Sequence, residues 1–204
     1  MPSPHNSVSI LGRSRGRSAV AAAAYRHATQ MRMSQSEKSR DYSAKQLELK
    51  HTEIALPQGA ALWAEEMFGR DAFERALAEG LSQADARGEG LTEGQAEQAA
   101  WAMVSETLWQ SVEAGETRLN RKRHTAQLAR MVTIALPRLL SREAQIALMQ
   151  GYVREAFTSQ GMIADWVLHD TGDGNPHVHV MLTLREIGAS DWGKKARAWK
   201  AQPA

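Results

Sequence analysis

Residues 169–185 read HDTGDGNPHVHVMLTLR, and the reading of this stretch decides the fold. Apolar Ile163, Trp166, Val167 and Leu168 run into His169, and a segment rich in turn formers, Thr171 to Pro176, follows. Beyond it His177 and His179 alternate with Val178, Val180 and Leu182. Alternation at a period of two marks a half-buried strand and sends His177 and His179 to the same face. Two such runs around a Gly/Asn/Pro turn predict an antiparallel hairpin of 163–169 with 177–184. His169 then ends the first strand and meets the other two histidines across the ladder. Three imidazoles converging on one point are a metal site or a crowded piece of core.

Composition narrows the setting. A chain of 204 residues can build one sizeable core and does not demand two domains. It has no cysteine, which excludes disulfides and thiolate metal sites and fits a reducing cytoplasm. No apolar run approaches the roughly 18 residues of a spanning helix, so membrane insertion is not expected. The net charge is only +2, but it is unevenly spread. Residues 1–50 hold nine Lys/Arg against three Asp/Glu, residues 51–120 four against thirteen, and residues 121–204 twelve against seven. Two basic ends around an acidic middle suggest that the ends share a polyanion-binding surface while the middle faces solvent.

Working outward to the N-terminus, Val8 to Leu11 forms a short apolar strand. Gly12-Arg13-Ser14-Arg15-Gly16-Arg17-Ser18 breaks it, and Ser18 is placed to cap a helix from Ala19 to about Met33. Its alanine-rich opening has high helix propensity and little bulk, so it can lie close to a sheet. An arginine-rich loop entering a helix N-terminus is a natural seat for phosphate, because unpaired backbone N–H groups and the helix dipole add to the side-chain charge. Val20-Ala21, Ala24-Tyr25 and Ala28 share one face, which points Tyr25 toward the sheet.

Residues 34–46 are polar and read as a loop. Glu48 to Leu56 alternates up to Pro57 and reads as a second strand, with Glu53 on the same face as Leu49 and His51. From about 60 to 128 the pattern is helical and acidic: a short helix around Leu62–Phe68, a second from Asp71 to Arg87, and a long one from Thr92, where Thr92 and Gln95 make a capping box. No catalytic constellation falls here, and the segment reads as an insertion with a structural or partner-binding role. Met131 to Leu136 is a third strand stopped by Pro137, and Ser141 opens a helix that runs to about Ser159, with Gly161 ending it. The tail from Gly188 to Ala204 interleaves Lys194, Lys195, Arg197 and Lys200 with Trp192 and Trp199 and reads as loosely ordered. It suits either single-stranded nucleic acid, through stacking rings and phosphate-tracking cations, or a linker.

Three neutral imidazoles suit several divalent metals and leave coordination positions open, the arrangement of a catalytic rather than a structural site. A tyrosine on a helix packed near the same sheet, with basic flanks, turns the reading toward phosphoryl chemistry. The metal takes up charge on a phosphodiester oxygen while a phenolate attacks phosphorus.

GRSRGRSAVAAAAYRH at 12–27, DYSAK at 41–45, HTEIALP at 51–57, VTIALPRLLS at 132–141 and GMIADWVLHDTGDGNPHVHVMLTLR at 161–185 together resemble the relaxase domains of the MobA/MobL (MobQ) family, TraA type, within the HUH endonucleases. The resemblance implies an α+β fold, an antiparallel sheet of about five strands flanked by helices, with the acidic helices as an insertion. It implies a relaxase domain over 1–187 and a basic tail or linker over 188–204. The activity implied is strand-specific nicking of DNA at a plasmid origin of transfer. Tyr25 would attack to leave a 5′-phosphotyrosyl link and a free 3′-hydroxyl, and reversal would rejoin the strand. His169, His177 and His179 would hold Mn²⁺ or Mg²⁺, with Zn²⁺ as a further option. Arg13, Arg15, Arg17, Arg26, Lys194, Lys195 and Arg197 would contact DNA. Accessory relaxosome proteins and a coupling protein are the implied partners. Relatives usually carry an acid at the position of Met131, so an acidic group supporting the histidines, or a general base, would be Glu53 or Asp170. The alternatives are a rolling-circle replication initiator with the same chemistry, a non-catalytic DNA-binding module, and a metal-dependent hydrolase without a covalent step.

Overall fold

The computed structural model describes residues 6–32, 39–40, 48–88, 90–120, 123–172 and 174–196. The DYSAK motif at 41–45, Arg197 and the rest of the tail, and the side chain of Arg15 lie outside the described residues. In chain order the elements are β1 (Ser7–Gly12), α1 (Ala19–Arg26), β2 (Met31–Arg32), β3 (Ser39–Arg40), β4 (Leu49–Ala55), α2 (Leu62–Phe68), α3 (Arg70–Arg87), α4 (Glu93–Leu119), β5 (Gln127–Ala135), α5 (Arg142–Ala156), β6 (Ala164–His169), β7 (His177–Leu182), β8 (Arg185–Ile187) and β9 (Trp192–Lys195). Five strands form one antiparallel sheet in the order β1-β5-β7-β6-β4. The α+β class and the five-stranded sheet expected from the sequence are the ones observed.

The two faces of the sheet are covered differently. Val132, Trp166, Leu168, Val178, Val180 and Leu182 pack against Met149 and Val153 of α5. On the other face Ile54, Ile163 and Met181 meet α1 and α4 through Val20, Ala23, Ala24, Leu108 and Trp109. The period-two alternation therefore places Asp165, Val167, His169, His177 and His179 on the α1/α4 face. The small side chains of α1 let it approach closely, and Ala19, Val20, Ala23 and Ala24 are all buried.

The capping signals act as the sequence implies. The Ser18 hydroxyl accepts from the Ala21 N–H at 3.2 Å. At the start of α4 the Thr92 hydroxyl accepts from the Gln95 N–H at 3.3 Å, while the Thr92 N–H donates to the Gln95 side chain at 2.9 Å.

Three expectations change. First, α1 stops at Arg26 rather than near Met33, because His27 turns inward and Ala28 takes a left-handed conformation at φ +50°. Met31–Arg32 then pairs with Ser39–Arg40 inside what reads as loop. Second, the acidic middle is not a solvent-facing appendage. Glu113 and Glu116 of α4 are buried, the first against the start of α1 and the second under Arg185 and Lys195 at 2.6 and 3.4 Å. Charge counts report how many acids a segment holds, not which way the helix turns them.

Third, residues 188–196 are not loose. The β8–β9 hairpin spans the expected boundary at 187 and folds back so that Trp192 is buried. Its ring lies edge-on to Trp63 and stacks on Phe68, with centroids 5.4 and 6.1 Å away, and its indole N–H donates to Ser111 at 2.9 Å. Trp192 fits because residue 115 is glycine: a Cβ there would stand 2.8 Å from the indole Cδ1. Gly115→Ala is therefore expected to overpack this joint and cost about 1–3 kcal/mol, read as a lowered midpoint in urea unfolding.

Candidate metal centre and nucleophile

The hairpin register sets His169 directly opposite His177, and His179 opposite Val167 two residues along. The side chains of His169, His177 and His179 consequently meet, with ring centroids 5.8, 5.3 and 4.9 Å apart. One donor atom from each lies within 4.8 Å of the others, the spacing of a site that three imidazoles can close on a single ion.

Each ring is oriented by a hydrogen bond on one nitrogen. The His169 Nε2–H donates to the Arg26 carbonyl at 2.7 Å, and the His177 Nδ1–H donates to the Asn175 carbonyl at 2.9 Å. The Thr133 hydroxyl meets His179 Nδ1 at 3.2 Å. A carbonyl only accepts, so these contacts set the tautomers and make His169 Nδ1 and His177 Nε2 the lone-pair nitrogens. His169 is held below the ordinary imidazole range, first by burial and then by the neighbouring His177 and His27, against the opposing pull of the Arg26 carbonyl and Glu48. A histidine kept neutral is one that can ligate. The donor set and its orientation fit a divalent transition metal or Mn²⁺.

α1 reaches this cluster through its last turn, since the carbonyl that His169 contacts belongs to the residue after Tyr25. Tyr25 itself is 40% exposed. The buried face of α1 is Ala19-Val20, Ala23-Ala24 and His27-Ala28, one position away from the expected face, and that rotation turns the phenol outward rather than into the sheet. Arg26 is largely desolvated; burial lowers its pKa, while the charges of Asp165 and Tyr25 act in the other direction. One guanidinium N–H bonds the Ala22 carbonyl at 2.7 Å, and its buried Nε has no partner.

Both candidate acids are differently employed. Glu53 lies opposite Trp166 in the ladder and so faces α5, away from the histidines. There it accepts from Gln150 at 2.9 Å and meets His51 at 3.4 Å. The expectation that it supports the metal ligands or acts as base is corrected by this register, because a bulge between Leu49 and His51 shifts the strand's pattern. Asp170 follows His169 but turns to α5, pairing with Arg142 at 2.6 Å and accepting the Gly172 N–H at 2.9 Å. Those contacts, led by the Gly172 N–H, lower its pKa. The support that an acid was expected to supply comes instead from Thr133 and two backbone carbonyls.

The basic candidates also divide. Arg13 donates to the Glu113 carbonyl at 2.9 Å and to Thr117 at 3.1 Å, and Lys195 donates to the Gln127 carbonyl at 2.9 Å, so both brace the fold. Arg17 and Lys194 are exposed. The α1 N-terminus, expected to seat a phosphate, already holds an anion: the Glu113 carboxylate accepts from the Ser18 hydroxyl and the Ala19 N–H at 2.7 and 2.6 Å.

Sequence reasoning overlooked one polar cluster entirely. Asp165, buried on β6, receives His27 Nε2 at 2.8 Å on one oxygen, and the Ser105 hydroxyl and Trp109 indole N–H at 2.6 and 2.7 Å on the other. Thr52 meets the other His27 nitrogen at 3.1 Å. An aspartate inside an otherwise apolar strand, four residues before a histidine of the candidate metal site, was the available signal.

The comparisons with known proteins agree with this geometry. The MobA/MobL family profile matches residues 17–203, and the chain belongs to that family. It is 39% identical over 198 residues to a probable conjugal transfer protein TraA of Sinorhizobium fredii, and 40% identical over 191 residues to a conjugal transfer protein TraA of Agrobacterium fabrum. The matches cover 97% and 94% of this chain but only 15% and 14% of those relatives, so the chain spans about one seventh of their length. A solved structure described as the molecular basis of vancomycin resistance transfer in Staphylococcus aureus superposes with a TM-score of 0.67 at 23% identity, over 97% of this chain and 78% of the other, and shares the fold.

Asp165 carries a testable consequence. Burial raises its pKa, but His27 and the three hydrogen bonds outweigh that and hold it below the ordinary carboxylate range. Its stabilisation is then complete above the unfolded value near pH 4 and is lost as pH falls through the lower folded value. Asp165→Ala is expected to cost about 3–5 kcal/mol at pH 7 by leaving buried donors unpaired. Denaturant melts of Asp165→Asn below pH 4 should show a shallower loss of stability with falling pH than wild type.

Proposed function

We propose that this chain is the nicking domain of a conjugative or mobilisation relaxase, cutting one DNA strand at an origin of transfer. The observation that carries the reading is the meeting of His169, His177 and His179 beneath the last turn of α1, with the Arg26 carbonyl 2.7 Å from His169 and Tyr25 adjacent to it in the chain. Family membership and relatives named for conjugal transfer point the same way.

In this mechanism the single strand lies across the α1 end of the sheet, its phosphate held between Tyr25 and the histidines. A divalent ion on the three imidazoles, Mn²⁺ or Mg²⁺, would draw charge from a non-bridging phosphate oxygen. The Tyr25 oxygen attacks phosphorus, forming the O–P bond as the bond to the 3′-oxygen breaks. The phenol proton leaves and the 3′-oxygen gains one. The products are a 5′-phosphotyrosyl link and a free 3′-hydroxyl, and the reverse reaction rejoins the strand. The Arg26 guanidinium, on which the charge of Tyr25 acts, would offset negative charge on the tyrosine oxygen and the phosphate. Arg17 and Lys194 supply exposed cations for the flanking backbone, and the domain works in the cytoplasm with accessory and coupling proteins. Among the described residues no helix is long and apolar enough to cross a membrane.

Incubation with single-stranded origin oligonucleotides and Mn²⁺ tests this directly: denaturing gels and mass spectrometry should show an adduct at Tyr25. Tyr25→Phe should form none while its DNA affinity stays within about twofold of wild type, and a Phe variant that still forms the adduct overturns the assignment. Chelation with EDTA should stop adduct formation and added Mn²⁺ restore it, whereas His179→Ala should respond to neither.

A further inference from the structure

The buried cluster around Asp165 has no place in that mechanism, yet it is tied to both halves of the site. His27 caps the C-terminus of α1, its own N–H returning to the Ala23 carbonyl at 2.9 Å. Its ring is almost fully buried and held at both nitrogens, by Asp165 at 2.8 Å and Thr52 at 3.1 Å. Asp165 is fastened in turn to α4 by Ser105 and Trp109. α1, α4, β4 and β6 thus converge on one imidazole–carboxylate pair.

That imidazole is next in the chain to Arg26, whose carbonyl takes the proton of His169 Nε2. The left-handed turn at Ala28 follows at once and ends the helix there, with the Thr29 N–H returning to the Ala24 carbonyl at 3.1 Å, so the buried His27 ring is the side-chain anchor of this last turn. We propose that His27 is a positioning residue: by locking the last turn of α1 it aims the Arg26 carbonyl at His169, which sets that ring's tautomer, and it fixes the turn that carries Tyr25. One buried contact then fixes nucleophile and metal ligands relative to each other. The proposal rests on the relaxase reading for its consequence in catalysis, but its structural part is independent of it.

His27→Leu keeps the volume and removes both hydrogen bonds, while His27→Gln offers an amide in their place. Phe73→Leu, in the α3 contact with Trp101, serves as a control for general destabilisation. Long-range ¹H–¹⁵N spectra of the metal-free protein should show His169 protonated at Nε2 in wild type and in Phe73→Leu, and a tautomer mixture in His27→Leu. Mn²⁺ affinity measured by electron paramagnetic resonance should fall about tenfold in His27→Leu and recover in part in His27→Gln. At saturating oligonucleotide the adduct rate should fall with it, with the dissociation constant for DNA unchanged. A folded His27→Leu with the wild-type His169 tautomer and Mn²⁺ affinity overturns the proposal. Should His27→Leu not fold, Thr52→Val, which removes only the hydroxyl facing Nδ1, is read the same way: a smaller loss of the Nε2–H tautomer supports it and a wild-type spectrum overturns it. A wild-type protein that binds no Mn²⁺ and forms no adduct defeats the relaxase reading, and the spectra still decide the role of His27.

Discussion

A carboxylate buried between a sheet and two helices is costly unless every lone pair it presents is answered. Asp165 is answered by His27, Ser105 and Trp109, from α1 and from two successive turns of α4. That arrangement makes the sheet face a joint rather than a passive apolar surface. α1 and α4 cannot slide over β6 without leaving donors or the acceptor unpaired in a dry environment. The cluster lies four residues along β6 from His169, so the face on which the helices are pinned is also the face that carries the candidate chemistry.

The acidic helical segment acquires its meaning from the same logic. α4 supplies two of the groups on Asp165, presents Glu113 to the first N–H groups of α1, and sets Glu116 beneath Arg185 and Lys195. A helix N-terminus attracts anions whether they arrive from solution or from the chain itself. Here an internal carboxylate takes the seat, with Arg13 binding the backbone of the same glutamate. What reads as an electropositive loop awaiting phosphate is in large part the mount that fixes α1. α4 is a structural member of the fold, packing with α1 against one face of the sheet.

The features legible in the sequence were those set by local periodicity and local caps. Alternation through His177–Leu182 and the turn before it were enough for the hairpin and for the shared face of the histidines. Ser18, Thr92 and Ser141 announce helix starts because a cap is satisfied within three residues. Glu53 escaped that logic, since one bulge near His51 moves the following side chains to the other face and nothing local marks it. Trp192 escaped it too: its burial depends on a glycine 77 positions earlier in the chain, on the far helix.

By itself, then, the sequence determined that three histidines share one face of the hairpin, because side-chain type and period-two geometry are properties of neighbours in the chain. Tertiary structure alone decided that Tyr25 turns outward, that Thr133 and two carbonyls rather than an acid orient the histidines, and that His27 and Asp165 pin the helix to the sheet. Those outcomes depend on desolvation and on hydrogen-bond partners as many as 143 residues apart, and burial of that kind is written in no local pattern.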